Sequence, residues 1–202
     1  MNISKRITFF LLVCFIFLPC IAHRHSGAYA AILENTSDYT DAEKLSRAVE
    51  YFQSGKYHEA LIWFSKLDKK YKLNPRFQAY MGVCCYYDGE YKRAIEALEP
   101  ILPKLKAFAP HELAVYYYSV ADSYFRLNKY IDAVPFYEKH TLLCYNNEKG
   151  DSLFRIGICY RCLGDIEIAQ EYFVEALAYF RRYNDTDRLK YIERELERST
   201  DN

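Results

Sequence analysis

GICYRCLGDIEIAQEYF, residues 157–173, sets five side chains at intervals that describe two helices folded back on one another: Gly157, Tyr160, Gly164, Ala169 and Phe173. Gly164 can take the left-handed backbone that ends a first helix. Gly157 leaves room for the second helix to cross closely, Ala169 does the same for the following element, and Tyr160 and Phe173 fill the space between them. The arrangement recurs three times upstream, about Gly55, Gly89 and Asn128, at spacings of 34, 39 and 36 residues. Seven residues before each of these turns stand Ala48, Gly82 and Ala121, and four before stand Tyr51, Cys85 and Tyr124. Five after come Ala60, Ala94 and Ala133, and nine after come Phe64, Leu98 and Tyr137. Self-similarity at this period marks a small supersecondary unit that buries its apolar face only by stacking on its neighbours.

The order of small residue, aromatic, turn, alanine and large apolar residue resembles the tetratricopeptide repeat, over about Asp41 to Tyr183. The resemblance implies an all-α fold: an α-solenoid of about four helix pairs, near residues 41–74, 75–113, 114–149 and 150–183. A capping helix over 185–198, with Leu189, Ile192 and Leu196 on one face, completes a domain of residues 41–198. The family's early tryptophan slot is filled by Lys44, Gln78, Tyr117 and Leu153, and Arg47 replaces a leucine in the first repeat, which reads as a degenerate N-terminal cap. Pro100 and Pro103 remove helix donors and end the second helix of the second repeat early, so the five-residue excess before the third repeat falls between Pro100 and Pro110.

Composition narrows the function. The 202 residues are 51% hydrophobic with 27 basic and 27 acidic side chains, enough for a core and too balanced to gather polyanions. Nucleic acid is therefore not an expected partner. Only 7 Gly and 6 Pro leave too few turns for a many-stranded sandwich. No phosphate loop, no Gly-x-Ser-x-Gly elbow and no His-Glu-x-x-His helix occurs, so the chain is read as a non-enzyme without catalytic residue, cofactor or metal ligand. Cys159 and Cys162 share a helix face, but Cys159 and Cys84 fill equivalent repeat slots, which favours packing over a disulfide or a metal pair.

In repeats of the kind the sequence resembles, the first helices line a groove that receives a peptide. The resemblance places Phe52, Tyr80, Tyr87, Tyr118, Phe125, Arg126, Phe154, Arg155 and Arg161 on that face. Leu45, Val49, Val115 and Ser119 stand where chaperone-binding members carry a carboxylate clamp, so that activity does not carry over. The expected ligand is a protein or peptide with apolar or acidic side chains, oriented by the arginines. The alternative is a structural subunit whose face is covered by a homo-oligomer or a fixed assembly. On the groove reading Tyr80, Tyr87, Tyr118 and Phe154 are exposed contact residues, so truncating Tyr118 and Phe154 spares the fold, and replacing Glu148, between repeats, changes little.

The N-terminus reads as an address. Lys5 and Arg6 precede an apolar run from Ile7 to Leu18 broken at Pro19, the layout of a signal peptide over residues 1–22, with 23–40 as linker. The expected location is exported, periplasmic or envelope-associated. The alternative is an uncleaved anchor through residues 7–22, which is short for a spanning helix. Cleavage after Ala22 or Ala30 gives a mature N-terminus between His23 and Ala31, which mass spectrometry of the purified native chain will find. An intact Met1 in a soluble cytoplasmic fraction contradicts the export reading.

Overall fold

The computed structural model describes residues 39–200, with side chains to residue 197. The leader, both cleavage positions and the linker up to residue 38 lie outside the described residues. The chain divides into two units, Met1–Lys44 and Leu45–Asn202. In the described part of the first, Thr40 opens a helix by a capping box: its N–H donates to Glu43 Oε2 (2.7 Å), and the Glu43 N–H donates to its hydroxyl (3.3 Å).

Helix α1 (Asp41–Gln53) runs on into the second unit, which continues as α2 (Tyr57–Tyr71), α3 (Pro75–Tyr87), α4 (Tyr91–Leu98), a 3-10 segment (Glu99–Leu105), α5 (Pro110–Arg126), α6 (Tyr130–Leu143), α7 (Asn146–Leu163), α8 (Ile166–Arg182) and α9 (Thr186–Thr200). The described residues hold no strand. Antiparallel pairs α3/α4, α5/α6 and α7/α8 stack in sequence on α2, with α9 against α8. Each pair turns at a residue with positive φ, illustrated by Gly164 at 92° and Asn128 at 57°. In the Gly164 turn the Asp165 N–H donates to the Tyr160 carbonyl (2.9 Å) and the Gly164 N–H to that of Arg161 (3.1 Å), closing the orphan carbonyls of α7. A fifth turn of this kind, which the sequence pattern did not flag, joins α8 to α9 at Asn184 (φ 55°).

The small slots are where helices touch. A Cβ at Gly157 would lie 2.5 Å from Phe173 Cε1, and one at Gly82 would collide with Leu98. The residue seven before a turn thus meets the residue nine after it. Ala48, Ala60, Ala94, Ala121, Ala133 and Ala169 are buried, as are Phe64, Leu98, Tyr137 and Phe173. Cys84 and Cys159 are buried as well and carry free thiols, and burial pushes the Cys159 thiol up to about 12. They pack as small apolar residues.

The proline-rich segment does more than end a helix. Helix α4 stops at Leu98, and the following 3-10 segment, with Pro100 at its start and Pro103 within it, buries Ile101, Leu102 and Leu105 among Ala79, Val83, Tyr116 and Val120. The segment supplies core to the second and third repeats and takes the place of the second half of a helix, since α4 and the 3-10 segment, of 8 and 7 residues, together match the 15 of α2; the excess expected between Pro100 and Pro110 lies mainly in the longer α5, of 17 residues against 13 in α3. At the far end, α9 seals the stack by burying Ile192, with Leu189 and Leu196 partly buried, beside Phe173, Ala176 and Phe180. Arg161 of α7 pairs with the buried Glu195 of α9.

One buried carboxylate ties three repeats together. Asp122 on α5 is only 1% exposed. It accepts hydrogen bonds from Tyr86 Oη of α3 (3.0 Å), Tyr137 Oη of α6 (2.9 Å) and Arg126 Nε (3.1 Å), and Arg155 Nε of α7 lies 3.7 Å away. Burial and the Asp122 charge raise the Tyr86 and Tyr137 hydroxyls far above the usual phenol range, so both remain donors.

Gly157→Leu or Ala133→Leu will destabilise the domain by about 1–3 kcal/mol through overpacking, while Lys139→Ala on the exposed face of α6 will stay within about 0.5 kcal/mol. Equal losses in denaturant unfolding would show that the small slots are not helix crossings. Asp122→Ala strands two buried hydroxyls and the Arg155 guanidinium, and will cost about 3–5 kcal/mol by the same measurement.

Candidate functional site

Two adjoining cavities open on the face formed by the first helices α3, α5 and α7. The first, about 340 Å³, is lined by Tyr87 at the end of α3, by His111, Ala114, Val115, Tyr118 and Ser119 of α5, by His140 of α6, and by Tyr145, Glu148 and Asp151 at the start of α7. Ala114 with Tyr118, and Val115 with Ser119, are four residues apart, so one stripe of α5 forms the floor. The second cavity, about 420 Å³, is lined by Asp151, Phe154, Arg155 and Ile158 of α7, Phe180 of α8, and Asp187, Arg188 and Tyr191 of α9. Asp151 belongs to both.

The walls of the first cavity are fixed by packing behind them. Tyr87 is stacked on Tyr57 of α2 at 4.0 Å between ring centroids. Tyr118 sits edge-on to Tyr137 at 5.8 Å and tilted over His140 at 5.1 Å, and burial raises its hydroxyl above the usual phenol value. His111 and Tyr145 stack across the α5–α7 gap at 5.8 Å. His140 Nδ1 shares a hydrogen bond with Ser152 Oγ (2.8 Å), and burial pushes the ring down to about 4, so it stands there as neutral imidazole at neutral pH. The Tyr145 N–H donates to Glu148 Oε2 (3.1 Å), so Glu148 closes a capping box at the start of α7. Burial raises the Asp151 carboxyl above its ordinary value against the opposing pull of Arg188, whose Nε lies 3.0 Å from it.

The nine residues placed on the groove by sequence part company here. Tyr87 and Tyr118 line the first cavity and Phe154 and Arg155 the second, while Phe52, Tyr80, Phe125, Arg126 and Arg161 line neither. Phe52 and Tyr80 stack on each other at 4.3 Å and pack against the core of the second repeat. Phe125 lies beneath the Arg155 guanidinium (4.6 Å) and edge-on to Tyr130 and Tyr137. The three arginines expected to hold a ligand carboxylate already hold the protein's own: Arg126 and Arg155 on Asp122, and Arg161 on Glu195.

Three expectations therefore change. Tyr118 is half-buried against Tyr137 and His140, and Phe154 against Phe173, Phe180 and Tyr191, so truncating the pair removes core contacts and will not spare the fold. Of the expected exposed wall only Tyr87, at 54%, is largely accessible. Replacing Glu148 removes a helix cap worth about 1 kcal/mol rather than nothing.

Sequence reasoning missed His111, His140, Tyr145, Glu148 and Asp151 in the first cavity and Arg188 and Tyr191 in the second. The former sit outside the repeat's recurring slots, and the latter lie on a helix read only as a solvating cap. The available signal was length, and only for α5: the interval before Asn128, 39 residues against 34 for the one before it, leaves room for an additional helical turn.

The Tetratricopeptide repeat family model matches residues 150–182, the pair α7/α8. No curated protein matches the sequence. Among solved structures, that of MamA AMB-1 superposes with a TM-score of 0.59 at 16% identity, covering 78% of this chain and 90% of its own. MamA MSR-1 gives 0.56 at 15%, covering 80% and 97%, and a further MamA protein structure gives 0.58 at 19%, covering 73% and 76%. At such identities the likeness is one of fold, and at 73–80% of this chain it extends well beyond the matched repeat. With its small slots, left-handed turns and capping helix, the chain folds as an all-α solenoid of stacked helix pairs, and its pair α7/α8 matches the tetratricopeptide repeat.

Proposed function

We propose that the protein is a protein-interaction scaffold that holds an extended polypeptide segment along its first-helix face, with a large apolar side chain seated in the 340 Å³ cavity. That cavity carries the reading. Tyr87, Ala114, Val115, Tyr118 and Tyr145 come from three successive repeats and leave an apolar recess whose walls are already packed from behind. A preformed recess spends little binding energy on ordering side chains. Because Arg126, Arg155 and Arg161 are engaged internally, the apolar half of the expected ligand is favoured over the acidic half.

Export to the periplasm or cell envelope belongs to the same proposal. Its support is the charged start and apolar run of residues 5–18, which the uncleaved-anchor alternative shares. Among the described residues no helix is long and apolar enough to cross a membrane.

A second reading, a subunit of a fixed assembly or homo-oligomer, is favoured by α6. There Ile131 and Leu142 are 64% and 75% exposed, and they lie about three turns apart on one side of the helix. Sedimentation of the purified chain separates the readings, since a monomer leaves the first-helix face free.

Panning the mature chain against a library of short linear peptides will enrich sequences with an aromatic or long aliphatic anchor. Val115→Arg, a change at a 44%-exposed wall position, will weaken the selected peptides by about tenfold or more at unchanged unfolding midpoint. Enrichment that ignores Val115→Arg would move the binding surface elsewhere, and no enrichment with a self-associated chain would favour the assembly.

A further inference from the structure

At the junction of the third and fourth repeats three side chains of metal-binding chemistry converge. His140 lies in the last turn of α6. Cys144 follows one turn later as its cap, with its N–H donating to the His140 carbonyl (2.9 Å), so the two share a helix face. Glu148 is the third residue of α7, folded back over the same corner by the Tyr145 N–H. A ring nitrogen of His140, the Cys144 sulfur and a Glu148 carboxylate oxygen all lie within 4.8 Å of one another. Among the described residues no second trio of His, Cys, Asp and Glu donors comes together in this way. Cys159 and Cys162, the pair suggested by sequence spacing, have no part in the cluster.

We propose that His140, Cys144 and Glu148 bind a divalent transition-metal ion of the zinc type. Bond lengths of about 2.0–2.3 Å to nitrogen, oxygen and sulfur put tetrahedral ligand atoms roughly 3.3–3.8 Å apart, which side-chain rotation reaches from donor separations within 4.8 Å. One thiolate, one imidazole and one carboxylate make a borderline donor set that suits zinc or cobalt and not magnesium or calcium. The supporting hydrogen bonds are of the kind metal sites use to orient ligands. Ser152 Oγ holds Nδ1 of the ring, and the backbone N–H of Tyr145 occupies one oxygen of Glu148 and leaves the other. The thiol proton is released to solvent as the ion binds.

Three protein ligands leave a fourth position. His140 and Glu148 both border the 340 Å³ cavity, so that position faces the recess and takes water or a donor atom of whatever lies in it. The ion would also pin the end of α6 to the start of α7, and so couple the third repeat to the fourth. The site stands on its own geometry and does not depend on the peptide reading.

Titrating Co2+ into the reduced, metal-free full chain tests it. One equivalent will bind with a thiolate-to-cobalt charge-transfer band in the near ultraviolet, and Zn2+ will bleach the band by displacement. Cys144→Ser will abolish the band, Ser152→Ala will weaken binding by about 10–100-fold, and a chain with Cys159 and Cys162 both replaced by serine will keep it. Zn2+ will raise the melting midpoint of the unaltered chain but not that of Cys144→Ser. No band in the unaltered chain overturns the proposal, as does a band that survives Cys144→Ser or vanishes with Cys159 and Cys162. If Cys144→Ser fails to fold, the unaltered chain and the double serine variant still decide.

Discussion

The close crossing of a first helix over its own second helix, at a position with almost no side chain, governs the rest of the structure. At Gly157 and Gly82 the space a Cβ would need is occupied by Phe173 and Leu98. Overpacking by even a few methylenes costs more than most surface contacts return. With that approach fixed, the turn between the helices has only one register, and the left-handed residues and their paired hydrogen bonds follow from it. The register in turn decides which stripe of α5 and α7 faces the neighbouring repeat and which faces the cavities.

Polar contacts then choose how the pairs sit on each other. Apolar slots alone would tolerate some sliding, because alanine and leucine faces are forgiving. Asp122 is not: with 1% exposure its charge is tolerable only where Tyr86, Tyr137, Arg126 and Arg155 all reach it. Those donors come from the second, third and fourth repeats, so a shifted stack would bury an unpaired carboxylate. Arg161 with Glu195 acts similarly between α7 and the capping helix. These arginines are thus engaged by the protein's own carboxylates.

The repeats were legible because their signal is steric and recurs: small, large and turn residues must fall at fixed intervals for helices to cross. Pro100 and Pro103 were legible as breakers, but not as the start of a 3-10 segment that buries Ile101, Leu102 and Leu105, since burial there depends on neighbours distant in sequence. The site was read less completely. Aromatic residues on a first helix look alike in sequence whether they project into a groove, like Tyr87, or stack inside, like Phe52 on Tyr80. An arginine gives no local sign that an acid from another repeat will meet it, as Asp122 meets Arg155.

What the repeat pattern omits is where the chemistry gathers. Helices α1 and α3 are 13 residues long, whereas α5 and α7 have 17 and 18. Counted back from their turns, α5 and α7 begin about one helical turn earlier than the other two. That added turn carries His111 on α5 and Glu148 on α7, and Tyr145 immediately precedes it. Part of it joins the core, where Leu113 is buried beside Tyr116, and part meets across a gap: the His111 and Tyr145 rings stack at 5.8 Å, and Glu148 reaches back toward His140 and Cys144. A repeat trimmed to the length of the first two would retain every small slot and every turn, and would lose the cavity rim and the donor cluster together. The framework and the site are thus separable in sequence, one set by residues that recur and the other by residues that occur once.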